Sequence, residues 1–330
     1  IYQIKDGKLN RLEADMGAKA MTDPATLTEF IKYCAKNFPA NRNELIFWDH
    51  GGGTVSGYGY DEKYSNNGSM DLAGISKALK NGGITFDFIG FDACLMATAE
   101  NGLMLNNYAD YMVASEETEP GIGWYYTKWL SEAGKNPGIE TLALGRIIVD
   151  SFTEACENKV PSQSTTLSVI DLSEFSQTVP EKLAKFSDRT RDQIENKDEY
   201  KTVTNARGAT REFAQSSKID QIDLTHLTYR LGTDEAKALQ SVLLNAVKYN
   251  KTSRRMTNAY GVSAYFPYRG SEKKTKAMAQ VMDSIGLTNN YSRCITSYSD
   301  YQSAGQQAAL SNGADLFSFG SSVLSGLSGT

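Results

Sequence analysis

Histidine is nearly missing from this sequence, with only His50 and His226 in 330 residues. That scarcity argues against a histidine-based metal site. Cysteine is sparse too, and Cys34, Cys94, Cys156 and Cys294 stand far apart. With no close pair, neither a zinc ribbon nor a redox-active dithiol is written here. The spacing leaves the redox compartment undecided. No apolar stretch approaches the ~18 residues needed to cross a bilayer. There is no long basic run, and the formal net charge is -5 with a pI near 5.3. Those features argue against a nucleic-acid-binding surface. No internal repeat is evident. The chain opens on Ile1 with no signal peptide, so the expectation is a fragment or processed product; any targeting sequence would lie upstream, and its absence here proves nothing.

What is present is an ordinary globular composition, 40% hydrophobic and 22% charged. The length suits one large α/β domain with additions, or two domains. The opening Ile1-Tyr2-Gln3-Ile4 predicts a strand, with a turn at Asp6-Gly7. Leu27, Phe30, Ile31 and Cys34 share a helical face with Thr26 as the cap. Leu45-Ile46-Phe47-Trp48 has the length and composition of a buried strand. Residues 51–70 are rich in Gly, Ser, Asn and Tyr and predict a long functional loop. Asp71 then caps a helix that Asn81-Gly82-Gly83 stops. A strand at 86–91, a helix at 95–108 and a strand at 111–114 complete an alternation that implies a mostly parallel sheet. Further helices are expected at 124–133, 139–156, 174–196 and 234–249, with strands at 167–171 and 260–266.

Two motifs end neighbouring strand predictions: His50-Gly51-Gly52-Gly53 and Asp92-Ala93-Cys94. Ligands bind at the carboxyl rim of open α/β sheets, so adjacent strands would put imidazole and thiol on one functional edge. Cysteine catalysis needs a thiolate, a proton shuttle and oxyanion donors. Cys94 is expected directly before a helix, whose dipole would lower its pKa. His50 would serve as the shuttle. The backbone N–H of Cys94 and one from Gly51 or Gly52 would hold the oxyanion. Three glycines after the histidine also suit a phosphate loop, but the Lys-Ser/Thr that should follow is absent. Cys34 and Cys156 fall on apolar helix faces and read as core, Cys294 is undetermined, and His226 looks like a helix residue remote from both motifs.

The pair resembles the clostripain family of cysteine peptidases, relatives of caspases, legumain and gingipains. The likeness runs through residues 45–53 and 88–96, with support from Ala114-Ser115-Glu116-Glu117 and Gly261-Val262-Ser263-Ala264-Tyr265-Phe266-Pro267. It implies a caspase-like α/β/α sandwich with a mostly parallel central sheet and a smaller C-terminal helical and mixed region. The catalytic core would span 1–158, lacking the front strand–helix–strand unit of the family. Residues 159–291 would add further strands and helices, and 292–330 would be a Ser/Gly-rich tail. The resemblance makes His50 and Cys94 the catalytic dyad. It gives Asp92 the base of a pocket for Arg or Lys, the alternative being a cap on the helix expected at 95. Glu116, Glu117 and Glu119 either line that pocket or form a solvated acidic loop. Family members are often cut between histidine and cysteine, which makes Lys63 the expected self-cleavage site. Location outside the cytoplasm, in the extracellular space or cell envelope, follows from the family alone. No cofactor is called for, and calcium is not readable from the residues.

The expected activity is therefore endopeptidase cleavage after Arg or Lys, with basic peptides or proteins as partners. An α/β-hydrolase with a cysteine nucleophile is disfavoured. It needs glycine where Met96 stands, and a histidine that follows the nucleophile. A catalytically inactive peptide-binding or scaffold relative is the alternative from another class.

Overall fold

The computed structural model describes residues 1–287 and 289–311. Strands β1 (Tyr2–Lys5) and β2 (Lys8–Arg11) form a hairpin. Helix α1 (Pro24–Asn37), β3 (Glu44–Trp48), the single turn α2 (Gly53–Ser56), α3 (Leu72–Gly82), β4 (Phe86–Asp92), α4 (Ala99–Leu105) and β5 (Ala109–Ala114) follow. Next come α5 (Tyr126–Lys135), α6 (Thr141–Lys159), β6 (Thr166–Asp171), α7 (Leu172–Glu195) and α8 (Tyr200–Ala209). The remainder holds β7 (Glu212–Phe213), β8 (Gln221–Asp223), α9 (Leu224–Leu231), α10 (Asp234–Ala246), β9 (Val247–Thr252), β10 (Ser263–Tyr265), α11 (Glu272–Ser284) and α12 (Asn289–Ser311).

The central sheet has the order β3-β4-β5-β6-β9. β3, β4 and β5 are parallel, β6 is reversed, and β9 runs antiparallel to β6. Alternate side chains of β4 feed two cores, because successive strand residues point to opposite faces. Ile89 and Phe91 join Leu45, Phe47, Met112 and Ile170 beneath α3, α4 and α7. Phe88 joins Val113, Leu167 and Val169 beneath α5 and α6. The result is the three-layer α/β/α sandwich the resemblance implied. Gly90 falls on the second face, where a Cβ would lie 2.8 Å from the Trp124 ring. Its lack of a side chain lets that indole seat against the sheet.

Several expectations need correction. Val247–Thr252 continues from α10 as the last strand of the main sheet, not as helix, although no glycine or proline marks the switch. The strand expected at 260–266 is shorter and sits in a separate antiparallel sheet, β10-β8-β7. Thr26 does not cap α1; Asp23 does, accepting from Ala25 N–H, with Pro24 in the first turn. Residues 292–311 belong to helix α12, not to a weakly ordered tail. Tyr291, Cys294, Ile295 and Tyr298 are all buried at helical spacing. The rest of the expected tail, 312–330, lies outside the described residues. The helix expected at 95 starts four residues later, at Ala99, where Thr98 accepts from Asn101 N–H.

Candidate active site

β3 and β4 pair in parallel with Trp48 opposite Asp92, an offset of 44 positions. His50 and Cys94 are separated by the same 44. Each lies two residues beyond its strand, so the register delivers both to neighbouring places on the carboxyl rim. The loops then touch. A Cβ on Gly51 would lie 2.1 Å from the Cys94 carbonyl oxygen and 3.0 Å from its nitrogen, so the Gly51 backbone rests on the Cys94 peptide. Any larger residue would push the two motifs apart. The imidazole of His50 is exposed, and its backbone carbonyl accepts from Gly59 N–H at 2.8 Å.

The thiol of Cys94 is half-buried and accepts a hydrogen bond from Glu119 N–H at 3.3 Å. The amides of Gly51 and of Cys94 itself also favour the thiolate. Burial nevertheless wins and raises the thiol pKa, the Glu119 amide opposes it, and the Glu117 charge adds to the rise. The expected help from a helix dipole does not materialise, because Leu95 interrupts the helix. Leu95 takes a positive φ of 69°. Its N–H donates to Glu117 O at 3.2 Å, and its carbonyl accepts from Gln221 Nε2 at 2.9 Å. Of the anticipated oxyanion donors, Gly52 is spent, since its N–H bonds Gly57 O at 2.8 Å. The Gly51 and Cys94 amides remain beside the sulfur.

Asp92 lies on the same face of β4 as Gly90 and is only 4% exposed. Both its oxygens accept from Trp124 N–H at 3.2 Å, and Oδ2 accepts from Tyr126 OH at 3.0 Å. Gly123, at φ 63°, packs against the carboxylate, where a Cβ would come within 3.2 Å. Glu119 completes an acid pair. Its Oε1 accepts from Trp124 Nε1 at 3.4 Å, while Oε2 is sealed from solvent without a partner. Burial, then the neighbouring Asp92, holds the Glu119 carboxyl well above the usual range. Asp92 is also raised by burial, against the Trp124 and Tyr126 hydrogen bonds. Burial and like charge thus both favour a proton on the pair. Asp92 does not cap the helix after Cys94, whose cap is Thr98.

The other two glutamates do not join this pair. Glu116 Oε2 accepts from Gly261 N–H at 2.8 Å, and the side chain faces Asp223 in the interior. Glu117 Oε1 accepts from Thr118 and Ala214 N–H groups at 2.8 and 3.1 Å. Its charge is felt at the thiol, yet it turns toward the small sheet. Lys63 is exposed in a 3₁₀ stretch, Glu62–Asn67, whose first turn is capped by Asp61. His226 is buried, accepts from Arg211 N–H through Nδ1, and is pushed down to about 4 by burial and two arginines. Cys156 is buried, and burial followed by the Glu119 and Asp92 charges pushes its thiol up to about 12. Cys294 is buried, whereas Cys34 is half-buried.

Sequence reasoning missed Gly123, Trp124, Tyr126 and Gln221. The run Gly121-Ile122-Gly123-Trp124-Tyr125-Tyr126 was legible only as a helix start. Aromatic residues next to paired glycines were the available signal.

The clostripain-family model matches residues 1–315. The clostripain of Hathewaya histolytica is 32% identical over 165 residues, covering 39% of this chain and 29% of that protein. The match thus spans well under half of that relative. An inactive zymogen C11 protease from Parabacteroides distasonis has a TM-score of 0.63 at 19% identity, covering 89% of this chain and 82% of that one. A secreted C11 cysteine protease from Bacteroides thetaiotaomicron, in complex with an irreversible peptide inhibitor, has a TM-score of 0.61 at 19% identity, covering 87% and 84%. At that identity the two structures speak for the shared fold.

Proposed function

The chain belongs to the clostripain family, and from that premise we propose that it is a cysteine endopeptidase cutting after Arg or Lys. The observation that supports the reading is the β3–β4 register, with the backbone of Gly51, the residue after His50, lying against the Cys94 peptide. His50 takes the proton of Cys94, and the thiolate attacks the scissile carbonyl. The developing oxyanion meets the N–H groups of Gly51 and Cys94, each such donor contributing about 3 kcal/mol. His50 then protonates the leaving amine, and water activated by the same imidazole hydrolyses the thioester. Thiol, imidazole and amides supply every step, so no cofactor is assigned.

The P1 cation sits between Asp92 and Glu119. Its charge replaces the proton that the acid pair holds when empty, and an Arg fork suits two carboxylates. Since Asp92 is covered by Gly123 and Trp124, residues 120–125 must shift to admit a side chain. Substrates are peptides or proteins with basic residues. Among the described residues no helix is long and apolar enough to cross a membrane. Action outside the cytoplasm is proposed from the secreted relative.

Fluorogenic Arg, Lys and Asp substrates, offered to wild type, Cys94→Ala and His50→Ala, test the reading. Turnover of Arg or Lys substrates should fall at least ~10⁴-fold in Cys94→Ala and about 10²–10⁴-fold in His50→Ala. Turnover surviving in Cys94→Ala sinks the mechanism, and a preference for Asp sinks the pocket. Mass spectrometry of the same proteins checks self-cleavage after Lys63. Fragments appearing equally in Cys94→Ala would reject it.

A further inference from the structure

We infer that Gln221 is a positioning residue for the cysteine chemistry: its buried amide clamps the turn after Cys94 against the glycine loop after His50. The inference rests on the Cys94–His50 reading above. Gln221 lies on β8, outside the main sheet, and is 1% exposed. Its Nε2 donates to Leu95 O at 2.9 Å and to Ser263 Oγ at 2.8 Å. These two acceptors fix which end of the amide faces the nucleophile's turn. The other end faces Gly53. A Cβ there would lie 2.0 Å from Gln221 Oε1 and 3.0 Å from Leu95 O. One side chain therefore abuts both catalytic loops.

Leu95 explains why a clamp is needed. At φ 69° it occupies a left-handed conformation that a leucine does not favour and that surroundings must impose. Its N–H is pinned by Glu117 O and its carbonyl by Gln221. Freed of the second restraint, the turn can relax toward ordinary dihedrals and carry the Cys94 peptide with it. That peptide supplies one oxyanion donor and lies against Gly51, beside the other. A purely packing role is a poor account of this amide. Gln221 Oε1 is buried without a donor, a cost that an apolar side chain of similar length would not incur.

The test compares wild type with Gln221→Met, which keeps length but removes the donor. Displacements near 1 Å typically lower catalysis about 100-fold. We expect kcat on an Arg substrate to fall roughly 10–100-fold, with KM within about threefold, in that range. Affinity for a peptide aldehyde ending in Arg should drop in parallel, because its adduct uses the oxyanion donors. Alkylation of Cys94 by iodoacetamide uses no oxyanion donor and feels the turn only through the amides that favour the thiolate, so it should fall by less than about threefold. If hydrolysis, aldehyde binding and alkylation all decline together with the folded fraction, Gln221 is structural and the inference fails. It fails equally if folded Gln221→Met retains wild-type kcat. Should Gln221→Met not fold, Gln221→Asn, whose amide ends one methylene short of Leu95 O, must show the same selective loss. Wild type without Cys94-dependent hydrolysis would instead overturn the underlying reading, a distinguishable result.

Discussion

Glu116 and Glu119 stand three positions apart after β5, and each faces a buried aspartate, but the two pairs are built for different ends. Glu116 and Asp223 take backbone N–H donors from Gly261, Tyr260 and His226. Those donors come from distant segments, so the pair ties the rim of the main sheet to α9 and the loop before β10. Glu119 and Asp92 draw instead on Trp124 and Tyr126, which lie in one short stretch at the start of α5. Glu119 also donates its own N–H to the Cys94 sulfur. Burial and like charge raise the carboxyl pKa values in both pairs. What distinguishes the two pairs is therefore the neighbourhood: backbone amides from distant segments in one case, the Cys94 sulfur and a single short stretch in the other.

The strongest way to break this contrast is neutralisation. Asp92→Asn and Glu119→Gln should each lower kcat/KM for Arg and Lys substrates by about 30–5,000-fold, the 2–5 kcal/mol typical of truncating one partner of a buried ionic contact. Glu116→Gln should change it by less than about threefold, the size expected away from the reacting groups. Steady-state kinetics on the three purified variants decide the matter. A loss in Glu116→Gln as large as in Asp92→Asn would erase the distinction between the pairs.

A smaller effect sharpens it. Binding a P1 cation should expel the proton held by the Asp92–Glu119 pair, because the bound cation favours both ionised forms. Affinity should then rise with pH above the ordinary carboxylate range near 4, by up to about tenfold per pH unit. Calorimetric titration of Cys94→Ala with an Arg-ending peptide, in buffers of different ionisation enthalpy, measures the protons released. Glu119→Gln should remove that release. Release that persists in Glu119→Gln assigns the proton elsewhere.

Much of the rim was legible because its causes are local. The apolar runs before His50 and Cys94 became adjacent parallel strands, and Asp71 and Gly83 delimit α3 as their residue types demand. The illegible parts have distant causes. Leu95 is held left-handed by a glutamine 126 positions away, so helix propensity alone extended α4 too far upstream. Glu116 could not be told from Glu119, because its direction is fixed by Gly261, 145 positions on, and by the Thr166 hydroxyl accepting from its N–H. β9 was hidden by a polar sequence that becomes strand through pairing with β6. The α12 stripe of Tyr291, Cys294, Ile295 and Tyr298 was periodic all along, but the surrounding Ser/Gly/Gln composition masked it.

The smallest expected effect concerns stability. Burial pushes the Asp223 carboxyl up to about 7, against hydrogen bonds from Glu116, Tyr260 and His226. In the unfolded chain an aspartate titrates near 3.9. Between these values the folded state binds a proton that the unfolded state does not. Stability from this pair is thus fully present below about pH 4 and lost progressively as pH rises to about 7. Glu116→Gln replaces one acid by an amide that can donate to Asp223, which lets that carboxylate ionise at lower cost. The melting temperature of Glu116→Gln should gain on wild type by a few degrees as pH rises from about 5 to about 7.5, a ΔΔG on the order of 1–2 kcal/mol. Proton release on binding the Arg peptide should not change when Glu116→Gln is added to Cys94→Ala. Parallel melting curves across that range, or an altered proton count, would show that the sealed pair and the pocket pair titrate as one system.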